Sequence, residues 1–378
     1  MGKTKIEWTQ ESWNPIRGCV RVSPGCQNCY AERIAARFSK PGLAYEGLAE
    51  MTPQGPRWTG KISFVEKAIT EPLRRRTPTT YFVNSMSDLF YDAVPLDWIV
   101  RIFAVMALSS QYERYGGNKG HTFQILTKRA KRMREILTSP DFHLRVAHEM
   151  NELAAESPNL HHTKGPWPSE MSDLVKKKEA HVWPIPGVWI GISAENQETA
   201  DERIPELLKC PAAVRWVSAE PLIGPLNLLG YMMEGEDPGR CSNCKGGHGF
   251  TRCPNYGSIA KTRSEYEGGP DVCEDFKRKN FSLHWVVAGG ESGPGARMIS
   301  PEWARNLRDE CQKAGVAYFF KQWGEWRLDQ VGDELVGSNK ERFYLGNGQM
   351  MQKVGKGKAG RILDGRVWDE FPKAGVVA

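Results

Sequence analysis

No stretch of the 378-residue chain approaches the roughly 20 consecutive apolar residues that a membrane span requires. The N-terminal MGKTKIEWTQESW has neither an apolar h-region nor a cleavage site, which predicts a cytoplasmic protein with no membrane partner. Met1-Gly2 opens like a myristoylation signal, but Ile6 stands where Ser or Thr is needed. There is no Gly-x-Ser-x-Gly elbow, no Walker phosphate loop and no His-Glu-x-x-His helix, so the common hydrolase and nucleotide-hydrolysing constellations are missing. Internal repeats and low-complexity tracts are absent too. Charge of one sign is in short supply: 51 basic against 45 acidic side chains give a formal net charge of +6. That excess suits a phosphate-bearing substrate but is weaker than that of a dedicated nucleic-acid binder.

What the chain does have is a core and a rhythm. With 40% hydrophobic residues it can bury one large α/β barrel or two ordinary domains. Short β-branched and aromatic runs recur at Tyr81–Asn84, Phe123–Leu126, Val188–Ile192, Val214–Val217, Trp285–Ala288 and Ala317–Phe320, with a further strand expected just before Cys19. Each ends in a polar or Gly-containing cluster and most lead into a helical stretch. Cys29–Phe38 places Ile34, Ala35 and Phe38 on one face, Leu96–Ser109 is strongly apolar, and Trp303, Leu307 and Cys311 share a face of Trp303–Ala314. Near-continuous apolar runs suit parallel strands covered on both sides, so the expected fold is α/β. Six to seven βα units predict a partial or full parallel (β/α) barrel, with an open doubly wound sheet as the competitor.

The barrel is expected over residues 1–230 and 283–326. A helical insertion over 139–182 is expected to cover one barrel mouth and carries His143, His148, His161 and His162 in surface or capping roles. A cysteine-rich segment spans 231–282, and a C-terminal extension of hairpins and loops spans 327–378. The middle segment has too few aliphatics to build a core without a staple.

Nine cysteines in a chain without an export signal argue for free thiols available to metals or catalysis, not a disulfide framework. Cys19, Cys26 and Cys29 lie within eleven residues on a Gly/Pro loop that runs into a helix. Three thiolates can occupy three irons of a [4Fe–4S] cube and leave the fourth open, whereas a cluster used only for electron transfer normally takes four cysteines. The helix start adds partial positive charge and free N–H groups. Structural zinc completed by a distant histidine or a fourth cysteine is the competing reading, and unligated thiols a third.

This loop resembles the radical S-adenosylmethionine superfamily, whose usual Cys-x3-Cys-x2-Cys follows the first strand of a partial barrel. Here the first gap is six residues and Asn28 stands where an aromatic is usual, so the resemblance is to a divergent branch. More closely, the chain from Trp13 to about Pro372 is similar to a phage-associated three-cysteine-motif family of uncharacterised proteins. The similarity is carried by Gly18-Cys19, Phe82-Val-Asn-Ser-Met-Ser-Asp88, Leu126-Thr-Lys-Arg129, Ser193-Ala-Glu-Asn196, Ser218-Ala-Glu-Pro221, Gly289-Gly-Glu-Ser-Gly293 and Phe320-Lys-Gln-Trp-Gly324.

The resemblance implies a [4Fe–4S] cluster on Cys19, Cys26 and Cys29, S-adenosylmethionine as cofactor, an electron donor, and a protein encoded nearby as partner. Strand ends converge at one mouth of a parallel barrel. Ser85, Ser87 and Asp88 are expected to receive the amino group and ribose hydroxyls, and Thr127, Lys128 and Arg129 a carboxylate or phosphate. Ser193, Glu195, Asn196, Ser218 and Glu220 complete the ring. Gly289-Gly290-Glu291 resembles the superfamily's Gly-Gly-Glu, which contacts the amino group, but follows a late strand instead of the second; a tight turn with an exposed acid is the alternative. Lys321 is the candidate catalytic side chain beyond the cysteines, with Gln322 as a substrate contact and Trp323 as a stacking surface or simply packing.

Cys241, Cys244, Cys253 and Cys273 match a zinc ribbon or knuckle, whose closed coordination supplies folding energy. His248 can replace one of them, and an auxiliary iron–sulfur cluster or free thiols are the alternatives. Lys245, Arg252, Lys261, Arg263, Lys277, Arg278 and Lys279 surround the set and make it a possible nucleic-acid contact or a solvated basic face. Cys311 is expected to be buried packing, and Cys210 stands apart. The function expected is radical chemistry on a nucleotide or nucleic-acid base. A non-catalytic, metal-stabilised nucleic-acid-binding or regulatory protein and a photolyase-like DNA repair enzyme are the competing readings.

Overall fold

The computed structural model describes residues 2–4, 6–110, 120–161, 167–178, 183–232, 282–330, 341–345 and 348–372. Its centre is an eight-stranded sheet in which β1 (Gly2–Lys3) pairs antiparallel with β2 (Glu11–Trp13). Parallel strands follow in chain order: β3 (Thr80–Val83), β4 (Thr122–Thr127), β5 (Val188–Ser193), β6 (Val214–Ala219), β7 (Trp285–Gly289) and β8 (Ala317–Gln322). A doubly wound sheet reverses its order at a switch point, and this one does not. Parallel crossovers are right-handed as a rule, and a series running in a single direction puts the crossover helices on one side and lets the sheet curl; the seven parallel strands here form a half-barrel.

All six apolar runs form strands, each within two residues of its expected bounds. The strand expected before Cys19 is resolved differently. Ile16–Arg17 is extended but pairs with Ser63–Phe64 in a separate two-stranded ladder, and the first parallel strand is Glu11–Trp13. Ser12 and Glu11 interrupt the apolar run there, which hides the strand.

Alternation along the strands sends one set of side chains outward and one inward. Tyr81, Val83, Phe123, Ile125, Ile190, Ile192, Val217 and Phe320 face the main core under the helices. Leaving α1 (Tyr30–Arg37) aside, which packs on the Ala49–Trp58 hairpin, that layer includes α2 (Leu96–Ser109), α3 (Ala130–Leu137), α4 (Phe142–Glu156), α5 (Trp167–Lys176), α6 (Gln197–Leu208) and α7 (Pro301–Ala314). Phe82, Trp216, Trp285, Val287 and Phe319 face inward, and Trp8 enters from the chain before β2 to fill the space between them. Its ring meets those of Phe82, Trp216 and Trp285 edge-on at centroid distances of 4.9, 5.3 and 6.1 Å. At Gly191 a Cβ would collide with the Trp216 ring, so the glycine is what admits the indole. The amino-terminal end of the half-barrel is thereby closed by tryptophan, and polar side chains are left at the carboxyl-terminal end.

The helical insertion does not cover a mouth. Helix α4 packs on the outside of α2, with Phe142 against Phe103 and Arg101 bonded to Glu149 and Glu156. His143 is buried against Trp183 instead of lying on the surface, while His148 and His161 are exposed. His162 lies outside the described residues. The far edge of the sheet is covered by the C-terminal segment, where Phe320 N–H donates to Trp368 O and Glu370 N–H to Tyr318 O. Between them Trp326–Gln330, Arg342–Tyr344 and Gln349–Lys353 form a small antiparallel sheet. No helix among the described residues is long and apolar enough to cross a membrane. Cys241, Cys244, Cys253 and Cys273, with His248, lie outside the described residues.

One residue of the strand junction gives a pH-dependent expectation. His284 Nδ1 accepts the Arg215 N–H at 3.0 Å, which requires a neutral ring, and burial with the adjacent Arg215 charge lowers its pKa to about 4. A depressed histidine stabilises the fold fully above its unfolded pKa of about 6.5. That stability is lost as pH falls toward 4 and changes no further below it. The loss amounts to at most about 3 kcal/mol. In urea titrations at pH 7, 5 and 4, His284→Asn should keep the acceptor and show a shallower loss than wild type; identical slopes would remove His284 from the acid response.

Candidate active site

The cysteine loop begins where Gly18, at φ 96°, crosses the Lys61 carbonyl so closely that any Cβ would strike it. Gly18 N–H donates to Met86 O, which brings Cys19 beside the end of β3. A short 3₁₀ turn over Pro24–Cys26 follows, and Cys29 caps α1. All three thiols are free and half-buried. Burial pushes the Cys19 thiol up to about 12, with Asp88 adding to and Arg129 opposing the effect. Burial likewise raises Cys29. Among the described residues no three His, Cys, Asp or Glu side chains converge on a single ion.

Side chains from three strand ends hold this loop over the polar end of the half-barrel. After β4, Arg129 bonds Asp88 at 2.8 Å and the Val20 carbonyl at 3.0 Å, with its Nη1 also 3.9 Å from Cys19 Sγ. After β5, fully buried Glu195 accepts from Ser23 Oγ at 2.7 Å and Arg203 at 3.0 Å, with Lys128 Nζ 3.6 Å away. Burial opposes the charge on Glu195, but Lys128, Arg203 and the Ser23 bond outweigh it and hold the carboxyl below the usual range. After β7, Glu291 accepts from Asn28 Nδ2 at 2.8 Å and from Arg297 through both oxygens. Arg297 in turn donates to Pro24 O. Glu291 is therefore a buried, three-ways partnered acid and not the exposed turn residue that was the alternative.

The residues expected at the strand ends do gather here, but several are already bonded. Ser85 Oγ donates to Asn14 Oδ1, Ser87 Oγ to Ile16 O, and Thr127 Oγ1 to Asp88. Asn196 caps α6 through the Thr199 N–H. Gly290 presses its backbone against Trp323, and Trp323 is core, its indole N–H donating to Ile362 O. Cys311 is buried, as is Cys210. The other inward-facing groups at this end are Ser193 and Ser218, both buried, Lys128, paired with Glu195, and the Glu220–Lys321 pair, whose Nζ lies 2.8 and 2.9 Å from the two carboxylate oxygens. Gln322 also reaches Glu220, at 3.3 Å.

Across that rim, the family model of DUF5131, described as a protein of unknown function, matches residues 3–372. The chain belongs to this family. No curated protein and no solved structure matches it.

Sequence reasoning about this DUF5131 chain missed four residues of the site: Ser23, Asn28, Arg203 and Arg297. Asn28 had a visible signal, being polar at the position before the third cysteine where the resemblance calls for an aromatic. Arg203 sits eight residues after Glu195 on α6 and Arg297 six after Glu291, spacings that carry no motif. Tyr30, beside Cys29, was also unremarked. Its hydroxyl donates to Ser85 O at 2.9 Å.

Proposed function

We propose that this chain is an iron–sulfur enzyme in which Cys19, Cys26 and Cys29 hold a [4Fe–4S] cluster and S-adenosylmethionine binds beside it, for radical chemistry on a nucleotide or nucleic-acid base. The observation that carries the reading is one loop bearing three thiols, clamped by Glu195, Glu291 and Arg129 over the polar end of a parallel half-barrel. A cluster draws thiolates to three separate irons, so it does not need the thiols to converge on one point as a zinc ion does. Cys19, Cys26 and Cys29 would hold such a cluster, which would supply one-electron reducing chemistry for S-adenosylmethionine cleavage and hydrogen-atom abstraction.

The chain's own residues bind and orient. Lys128 presents a cation for a carboxylate or phosphate, Ser193 and Ser218 offer hydroxyls, and Glu220 can accept from an ammonium while Lys321 neutralises it. The tryptophan floor excludes water from below. The four cysteines at 241, 244, 253 and 273 are assigned structural zinc on spacing and composition. The resemblance to a phage-associated family supports a partner encoded nearby, and the reading calls for an external electron donor.

Anaerobic reconstitution tests the assignment. About four irons per chain are expected, with an EPR signal in the dithionite-reduced protein that S-adenosylmethionine perturbs, and 5′-deoxyadenosine should form. Cys26→Ala should abolish both signal and product while zinc content stays unchanged. Zinc alone in the wild type, with no iron retained, would overturn the proposal.

A further inference from the structure

Helix α1 packs in the opposite sense to its apolar pattern. Ala31, Ala35 and Ala36 are its buried side, against Ala49 and Trp58 of a hairpin and Met86 after β3. Tyr30, Ile34 and Phe38, spaced i, i+4, i+8, are 43%, 37% and 49% exposed. The stripe is about 12 Å long. Arg33 and Arg37 flank it, with Lys40 beyond its end, and Arg33 also donates to Ser292 O at 3.2 Å. Glu32 on the same helix is buried and bonded to Arg21 and the Trp58 N–H, so it does not neutralise the outer face. Between residues 17 and 64 there are seven basic and three acidic side chains, an excess of four where the whole chain's is six. Of the other two acids, Glu46 accepts the Gly42 N–H and Glu50 is exposed. Arg37, Lys40 and Lys61 are exposed and form no ion pair among the described residues. The stripe also has a direction, because Tyr30 adjoins Cys29 and its hydroxyl bonds the end of β3, at the open end of the half-barrel.

We propose that the Tyr30–Ile34–Phe38 face of α1, with Arg33, Arg37 and Lys40, is a docking track for single-stranded nucleic acid that leads a base toward the cysteine loop. Rings exposed along a line stack on bases, which a single strand offers and a duplex hides, while cations beside them take the phosphates. A base delivered at the Tyr30 end enters the site without having to be flipped from a duplex. An apolar line flanked by cations matches alternating bases and phosphates better than it matches the charge-depleted centre of a protein interface. The proposal deepens the functional reading by naming the substrate as a base within a strand, but its test measures binding only and is independent of any cluster.

Fluorescence anisotropy with the full-length protein tests it, using labelled 20-nucleotide DNA and RNA strands, the corresponding duplex, and polyglutamate as competitor. The expected result is binding of at least one single strand more tightly than the duplex. Arg37→Glu with Lys40→Glu should weaken it at least tenfold, and Phe38→Ala about fivefold or more, selectively for single strands. Lys313→Glu, an exposed charge reversal on α7, should change it less than twofold. No binding of either strand would overturn the proposal. So would binding that both track variants leave intact, which puts the strand elsewhere, or equal duplex affinity untouched by Phe38→Ala. Polyglutamate bound through the same residues in place of oligonucleotide would assign the face to an acidic protein.

Discussion

Glu195→Ala should destabilise the protein by about 3–5 kcal/mol, the cost of breaking a buried ion pair on one side only. Glu195 is fully buried and Arg203 is 4% exposed, so removing the carboxylate leaves a buried guanidinium with only Ser193 O and the more distant, exposed Glu202 as partners. The Ser23 hydroxyl loses its acceptor at the same time, and Gly25, whose Cα packs directly on the Glu195 side chain, loses its support. The cysteine loop should therefore loosen from the half-barrel before the half-barrel itself unfolds. Two measurements separate these effects. Urea unfolding reports the global loss, and alkylation mapped by mass spectrometry should show Cys19, Cys26 and Cys29 reacting faster while buried Cys311 does not. Glu195→Gln keeps an oxygen for Ser23 but removes the charge opposite Arg203 and Lys128, so it should recover loop protection more than global stability. Wild-type stability and labelling in Glu195→Ala would show that the carboxylate clamp contributes nothing.

That experiment probes a feature the sequence displays only in part. The βα rhythm was legible because strands buried on both faces must be apolar in a continuous run, and Leu96–Ser109 has the bounds its composition implies. The polar strand ends were legible as a group for the same reason: in a parallel half-barrel they have nowhere else to converge. Their individual roles were not legible, because a side chain at a strand end can face a ligand or a neighbour, and the neighbour is far away in sequence. Asn28 and Glu291 are 263 residues apart, and Ser23 and Glu195 are 172 apart. The burial of α1 was not legible for a different reason. Hydrophobicity ranks Ile34 and Phe38 above Ala31 and Ala35, yet small alanines let the helix settle closely on the Ala49–Trp58 hairpin, whose own sequence carries no strand signal. An apolar pattern thus ended on the outside, beside the open end of the half-barrel.

The adjacent glycines Gly289, which ends β7, and Gly290, which follows it, should behave oppositely. At Gly290 a Cβ would collide with the Trp323 carbonyl oxygen and crowd Ile299 at 3.0 Å. The two backbones are held together there by Gly290 N–H to Gln322 O at 2.9 Å and Glu325 N–H to Glu291 O at 3.1 Å. The facing segment cannot retreat easily, since Gly324 sits at φ 79° with its own Cα against the Glu291 carbonyl. Gly290→Ala should therefore cost about 3 kcal/mol. It should also displace Glu291, release Asn28, and speed amide exchange in the cysteine loop. At Gly289 an added methyl meets Gln322 O, Glu220 Cδ and Lys321 Cβ all at 3.5 Å, which is ordinary contact. Gly289→Ala should keep stability within about 1 kcal/mol of wild type and place its methyl at the open end beside the Glu220–Lys321 pair, where it would obstruct a ligand without disturbing the loop. Thermal or urea unfolding of the two variants, with hydrogen–deuterium exchange over residues 19–29, distinguishes the roles. If Gly290→Ala proves as stable as Gly289→Ala and its loop exchanges no faster, the backbone approach at Trp323 is not what positions Glu291 against the cysteines.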